Sequence, residues 1–227
     1  LSDDFTGDLY VIGLWMHGVL DPKTGKWIEN LTDTSTVWNH QWRAHGSQPG
    51  YDVKQSSQFL ISKSTDDGLT WSEPRNITRQ VKKEKWWLLA PGPGRGITME
   101  DGTLVFPVEG RNEDGLQFST IMWSKDKGEN WTVGEPAYYN TNECQVVELS
   151  DHSLMLNMRE RSNRGRQEGN GRAIAVTADL GKTWTEHPTS RRALIEPACQ
   201  ASLLRHDYIE DGEERHVLLC LLYTSPS

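Results

Sequence analysis

Glu143 and Arg159 stand sixteen residues apart, symmetric about Asp151. A carboxylate can take a proton, and a guanidinium fork pairs with carboxylates in fixed geometry. Between the two run Cys144-Gln-Val-Val-Glu-Leu149, the polar turn Ser150-Asp-His152, and Ser153-Leu-Met-Leu-Asn-Met158. Apolar arms about a polar turn predict a β-hairpin. Antiparallel pairing then brings Glu143 and Arg159 side by side at its open end. From spacing alone, a binding site and an ordinary cross-strand ion pair are both consistent with this placement.

Three other acids recur in one phrase. Ser64-Thr-Asp66-Asp-Gly68-Leu-Thr70-Trp71 returns as Ser124-Lys-Asp126-Lys-Gly128-Glu-Asn130-Trp131 and as Thr177-Ala-Asp179-Leu-Gly181-Lys-Thr183-Trp184. The Asp accepts local N–H bonds, Gly supplies positive φ, and the hydroxyl adds a further bond. Asp66, Asp126 and Asp179 are therefore read as structural, because catalysis does not need three copies of one acid.

The elements around these residues also repeat. An apolar strand precedes each Asp turn: Gln58–Ser62, Thr120–Trp123 and Arg172–Val176. Hairpins run out of phase with them. Gly96–Met99 turns through Glu100-Asp-Gly102 into Thr103–Pro107, and Gln200–Leu204 turns through a longer acidic loop into Arg215–Leu219. Leu9–Trp15 supplies the end of a further copy. Each unit reads hairpin, connector, strand, Asp turn, strand. Sheets repeating at this period make an all-β propeller, here about three full blades plus part of a fourth. In such a blade the Asp turns and the Ser150-Asp-His152 turn share one face. Glu143, Arg159, Glu109 and the Gly92-Pro-Gly94 segment fall on the opposite face, where a ligand is sought at the end of the central channel.

Composition narrows the function. The net charge of −8 leaves no general basic footprint for nucleic acid. No run of 18 apolar residues exists, so no membrane span is expected. Three cysteines without CxxC and seven histidines without HExxH argue against a disulfide framework and a metal site. Arg161, Arg164, Arg166 and Arg172 join Arg159 in a basic cluster. The polar, Gly-rich run Arg161–Gly171 makes that cluster, Arg159 apart, a solvated mobile loop. Asn30, Asn76 and Asn130 match the glycosylation pattern, Asn130 by accident because it sits in a repeated turn.

Further phrases are more specific: Trp87-Leu-Leu-Ala-Pro-Gly-Pro-Gly94, Gly102-Thr-Leu-Val-Phe-Pro107, Asn142-Glu-Cys-Gln-Val-Val-Glu-Leu149, Leu154-Met-Leu-Asn-Met-Arg159 and Ile195-Glu-Pro-Ala-Cys-Gln200. In these the chain resembles the exo-α-sialidases (neuraminidases), six-bladed propellers that carry Asp boxes. The resemblance runs from about Asp3 to the C-terminus, more weakly in 21–53 and 161–171. It implies retaining hydrolysis of terminal sialic acid from glycoproteins, glycolipids or oligosaccharides. Sialic acid carries a carboxylate on its anomeric carbon, so the family uses a Tyr nucleophile in place of a carboxylate. By resemblance Glu143 draws the proton of that Tyr, and Arg159 is the middle member of three arginines that clamp the substrate carboxylate. Glu109 and Gln200 are candidate substrate-binding residues. Trp15, Trp38, Trp42, Trp86 and Trp87 are candidates for an apolar wall, each with a core role as the alternative. No cofactor or metal is implied, and the partners are sialylated glycans.

The resemblance also breaks in informative places. The family's Arg-Ile-Pro phrase and acid/base Asp are absent, as are its third arginine and the nucleophilic Tyr; Tyr138, Tyr139, Tyr208 and Tyr223 do not match its context. These parts would lie upstream of Leu1 and downstream of Ser227. Residues 1–227 are thus expected to be a partial catalytic propeller domain, truncated at both ends and inactive alone. A trans-sialidase and a non-catalytic sialoglycan-binding propeller share every motif present. A secreted or periplasmic location is favoured for a bacterial source, and the oligomeric state is open.

Overall fold

A computed structural model of the chain describes residues 1–16, 23–26, 47–53, 55–163, 169–196 and 198–222. The architecture is all-β, with one α-helical turn, Thr78–Val81, and one 3-10 turn, Arg161–Asn163, among the described residues. The first sheet has strands β1 (Leu9–Trp15), β2 (Gln58–Ser64) and β3 (Arg75–Asn76). In the second, β4 (Leu88–Pro91) and β5 (Ile97–Thr98) are two pieces of one edge. They pair with β6 (Leu104–Arg111), then β7 (Gln117–Ser124) and β8 (Thr132–Val133), while β9 (Tyr138–Tyr139) also joins β7. The third holds β10 (Thr141–Glu148), β11 (Leu154–Glu160), β12 (Ala173–Thr177) and β13 (Thr185–Glu186). A hairpin of β14 (Ala201–Glu210) and β15 (Glu213–Leu222) follows. These are the expected blades of an incomplete propeller.

Inner strands read as near-continuous apolar runs because both of their faces are covered. Leu104-Val-Phe of β6 and Phe118, Ile121 and Met122 of β7 are buried. Phe59, Ile77, Trp86, Phe106, Phe118 and Trp131 fill the space between the first two sheets. Val105, Ile121, Cys144, Leu156 and Met158 fill the next, and Val147, Met155, Ile174 and Leu203 the last. Each such large side chain contributes about 1.5–3 kcal/mol relative to exposure. Trp86 belongs to this core, stacked 4.6 Å from Phe118 in a tilted pair, and so forms no ligand wall.

The three Asp boxes have one design. In each, the Ser or Thr hydroxyl donates to the Asp carboxylate at 2.8 Å and accepts the Gly N–H at 2.9 Å. The other carboxylate contacts come from the backbone and side chain of Thr70, Asn130 or Thr183. Asp67, Lys127 and Leu180 take positive φ of 57°, 55° and 58°, and the glycines after them do the same. Asn130 spends its amide on Asp126 at 2.8 Å, in keeping with a structural role.

These bonds to the ionised acid hold Asp179 down to about 2, Thr183 N–H first among them. A lowered folded-state pKa contributes stability that is present above the unfolded value, near 3.8, and is lost as pH falls through the folded one. Asp179→Asn is therefore expected to lower the melting temperature at neutral pH and to converge on the wild type near pH 2. Melting scans between about pH 5 and pH 2 check this; parallel curves for the two proteins would refute it.

Glu100, Asp101, His152 and Asp179 line one common cleft, so the hairpin turns and the Asp turn share a face as expected. Two expectations are corrected. The acidic loop after Leu204 does not exist. The strands instead continue to a two-residue turn, Asp211-Gly212, with φ of 53° and 79°, the Asp-Gly geometry that suits strand twist. Arg172 is not part of a solvated loop: its side chain is fully buried, because it reaches inward to an ionised partner, Glu196. Arg164, Arg166, Asn30, Trp38, Trp42 and Tyr223 lie outside the described residues.

Candidate active site

The face opposite the Asp turns carries a cleft of about 560 Å³, lined by Glu143, Arg159, Cys199, Gln200, Ser202 and Leu222 among others. Glu143 and Arg159 meet there as an ion pair at 2.8 Å, their side chains 29% and 24% exposed. Their meeting is not the simple cross-strand pair that the spacing suggests. Gln145 faces Asn157, but Asn142 faces Arg159, so one extra residue is accommodated between Asn142 and Gln145. This is a β-bulge, which re-aims side chains locally. Glu143 sits in it at φ +40°. Among the described residues it is the one non-glycine with positive φ inside a strand. Such a conformation costs on the order of 1–3 kcal/mol and persists where its surroundings over-determine it.

The surroundings do so from both sides of the residue. The Glu143 N–H donates to the Glu109 carboxylate at 2.5 Å. The Glu143 carbonyl accepts from Arg172 at 3.2 Å. The Cys144 thiol, fully buried, donates to the Val108 carbonyl at 3.4 Å and fixes the bulge to β6. Burial pushes the Glu109 carboxyl up, against the Glu143 N–H bond that favours its ionised form; Glu143 charge adds to the rise and Arg159 opposes it.

Arg172 and Glu196 form a buried pair at 2.7 Å beneath the cleft. Burial works against charge on both, pushing Glu196 up and Arg172 down, and each opposes that by favouring the other's ionised form. Their other polar atoms also find partners. Arg172 also donates to the Asn157 side chain and, at 2.9 Å, to the Cys199 carbonyl. Glu196 accepts the Glu160 N–H at 2.7 Å and the Asn163 amide at 3.0 Å. One guanidinium thus ties the Glu143 bulge, β11 and the segment entering β14.

Gln200 lines the cleft and donates to the Pro93 carbonyl, which also accepts from Gln145 at 3.0 Å. The Gly92-Pro-Gly94 segment lies against β6 and β10 so closely that a side chain at Gly94 would overlap Gln145. Of the predicted residues, Glu143, Arg159 and Gln200 come together in the cleft. Glu109 stands behind Glu143. Trp87 donates to the Glu113 carbonyl at 3.0 Å, and neither it nor Trp15 lines the cleft. Arg172 and Glu196 were missed as a pair. Their signal was an Arg and a Glu each set in an apolar context, Gly171-Arg-Ala-Ile-Ala-Val176 and Leu194-Ile-Glu196.

Residues 39–226 match the family described as a BNR repeat-like domain. The chain belongs to the BNR repeat-like family. Its relatives include a sialidase of Bacteroides fragilis, 46% identical over 204 residues that make up 90% of this chain and 33% of that protein. A sialidase of Clostridium perfringens is 34% identical over 72% of this chain and 45% of its own length. The solved Hadza microbial sialidase Hz136 superposes with a TM-score of 0.78 at 40% identity, covering 96% of this chain and 38% of that one. The Trypanosoma rangeli sialidase, at 20% identity and a TM-score of 0.63, shares the fold. The family membership, the Asp boxes and the sialidase-type propeller are thus all shown. The chain spans about a third to a half of the length of these relatives.

Proposed function

We propose that these 227 residues are the central part of an exo-α-sialidase catalytic propeller, with Glu143 and Arg159 in its active site. The observation that carries the reading is the state of Arg159. One guanidinium nitrogen is held by Glu143 at 2.8 Å, while the side chain lines the cleft and is only partly buried, 24% exposed. A guanidinium has five N–H donors in a fixed fork, so an arginine that spends one nitrogen on Glu143 and opens on a cleft can take a further acceptor there. The carboxylate of sialic acid supplies one with matching fork geometry.

Glu143 then has the place of a base. It takes the proton of a Tyr hydroxyl and supports the phenolate that attacks the anomeric carbon, giving a covalent intermediate and retention. Arg159 orients Glu143 and binds the substrate carboxylate, and Gln200 contacts the polar arms of the sugar at the rim. The Tyr, the acid/base Asp and the other two arginines are expected from residues outside this sequence. The substrates are sialylated glycans.

The test is hydrolysis of a fluorogenic α-sialoside by the 227-residue chain and by the complete polypeptide encoded around it. Turnover by the complete polypeptide and none by the chain alone is expected. Turnover by the chain alone refutes the division of the site. Binding without turnover by the complete polypeptide makes it a glycan-binding propeller, and transfer to a sugar acceptor in preference to water makes it a trans-sialidase.

A further inference from the structure

We infer that Glu109 is a positioning residue that holds Glu143 in its working conformation and does not touch substrate. The inference rests on the reading of Glu143 as a catalytic group. Glu143 is held at φ +40° inside a strand, where neighbouring residues of the same strand are extended. A left-handed residue turns its N–H and side chain away from the directions that the ladder would give them. The N–H of Glu143 therefore loses a strand partner. Glu109 supplies the replacement from the adjacent sheet, with its Oε2 at 2.5 Å. The acceptor is a carboxylate, which makes this the stronger, charge-assisted kind of bond.

The topology explains why Glu109 can do this and little else. It lies on β6 opposite Ala90 and Ser119, with β4 on one side and β7 on the other. Its carboxylate faces β10, whose bulge is fastened to the same stretch of β6 by the Cys144 thiol on the Val108 carbonyl. Glu109 does not line the cleft, whereas Glu143 does. With Arg172 on the Glu143 carbonyl, both polar groups of the residue's backbone are held by charged side chains from outside its own strand. The aim of the Glu143 carboxylate at Arg159 follows from that clamp.

Two variants separate positioning from substrate contact. Glu109→Ala removes the acceptor. Glu109→Gln keeps an oxygen for the Glu143 N–H but loses the charge. In the complete polypeptide, Glu109→Ala is expected to lower kcat at least about tenfold with KM held within about twofold, the pattern of a lost transition-state interaction. Glu109→Gln is expected to restore most of kcat. A rise in KM shared by both variants would place Glu109 on the substrate, and wild-type kinetics in both would remove its role.

A second measurement does not depend on turnover. In the 1H–15N spectrum of the complete polypeptide labelled at glutamate, the Glu143 amide proton is expected far downfield, moving as Glu109 titrates and shifting upfield in Glu109→Ala. If wild type and Glu109→Ala give the same Glu143 amide position, the clamp is refuted. If the amide behaves as expected but the complete polypeptide is inactive, the clamp stands and the catalytic reading of Glu143 fails.

Discussion

Glu143→Gln in the complete polypeptide is expected to cut kcat for a fluorogenic sialoside by about 100- to 10,000-fold, the range that a positioned general base contributes. The substitution is nearly isosteric. The amide oxygen can still accept from the Arg159 guanidinium, which now lies 2.8 Å from the carboxylate, so the cleft keeps its shape. The bulge is held through the backbone by Glu109 and Arg172 and does not depend on the side-chain charge. What is lost is the ability to accept a proton from a Tyr hydroxyl, whose ordinary pKa of about 10 leaves it a poor nucleophile at neutral pH. Because this loss bears on the transition state and not on substrate binding, KM should stay within about threefold. Initial rates, sialic-acid binding by calorimetry and a thermal melt on the same preparation check it. A kcat within threefold of wild type, with an unchanged melt, would reject Glu143 as the base. Lost turnover with lost folding would not count, which is why the melt is part of the measurement.

The site was legible in the sequence to the extent that strand pairing is regular. The Asp boxes identify themselves by repetition, and the hairpin from Cys144 to Met158 sets which strand ends share a face. Those two facts placed Glu143 beside Arg159, and the structure has them in contact. The symmetric spacing gave the right neighbours for an incomplete reason. It assumed an unbroken ladder, whereas the ladder shifts by one residue between Asn142 and Gln145. A bulge built on a non-glycine at positive φ leaves no mark in residue type, since its stabilising partners, Glu109 and Arg172, lie 34 and 29 residues away in sequence. Long-range polar contacts of this kind carry no local signal. The Asp211-Gly212 turn did carry one, because Asp-Gly between strand-forming residues marks a two-residue hairpin. The acidic residues around it, Glu210, Glu213 and Glu214, hid it by making the segment look like a loop. Arg172 was hidden the same way by the polar run before it, although the strand that begins at Ala173 is buried from its first residue.

The second large effect falls on Arg172. Replacing it with Met is expected to cost about 3–5 kcal/mol of stability, the usual result of breaking a buried ion pair by removing one partner. The side chains of both Arg172 and Glu196 are fully excluded from solvent, so Glu196 would be left as an uncompensated charge. It would either carry the desolvation penalty or take up a proton, as burial already pushes its carboxyl up. The reverse single change, Glu196→Gln, leaves the guanidinium with the Asn157 side chain and the Cys199 and Glu143 carbonyls but without a counter-charge. If uncompensated charge is the source of the loss, the two changes are strongly non-additive. The double variant Arg172→Met with Glu196→Gln should then recover at least half of what Arg172→Met loses. The amide oxygen that Glu196→Gln leaves can still accept the Glu160 N–H and the Asn163 amide, and Met fills most of the space of the arginine stem. Urea titrations of the four proteins complete the cycle. Simple additivity would show that the pair matters through its individual hydrogen bonds and not through charge balance. Sialoside turnover of the double variant in the complete polypeptide then reads the other role of Arg172. A chain that regains stability but not kcat has lost the donor to the Glu143 carbonyl, so that the buried pair serves the bulge as well as the core.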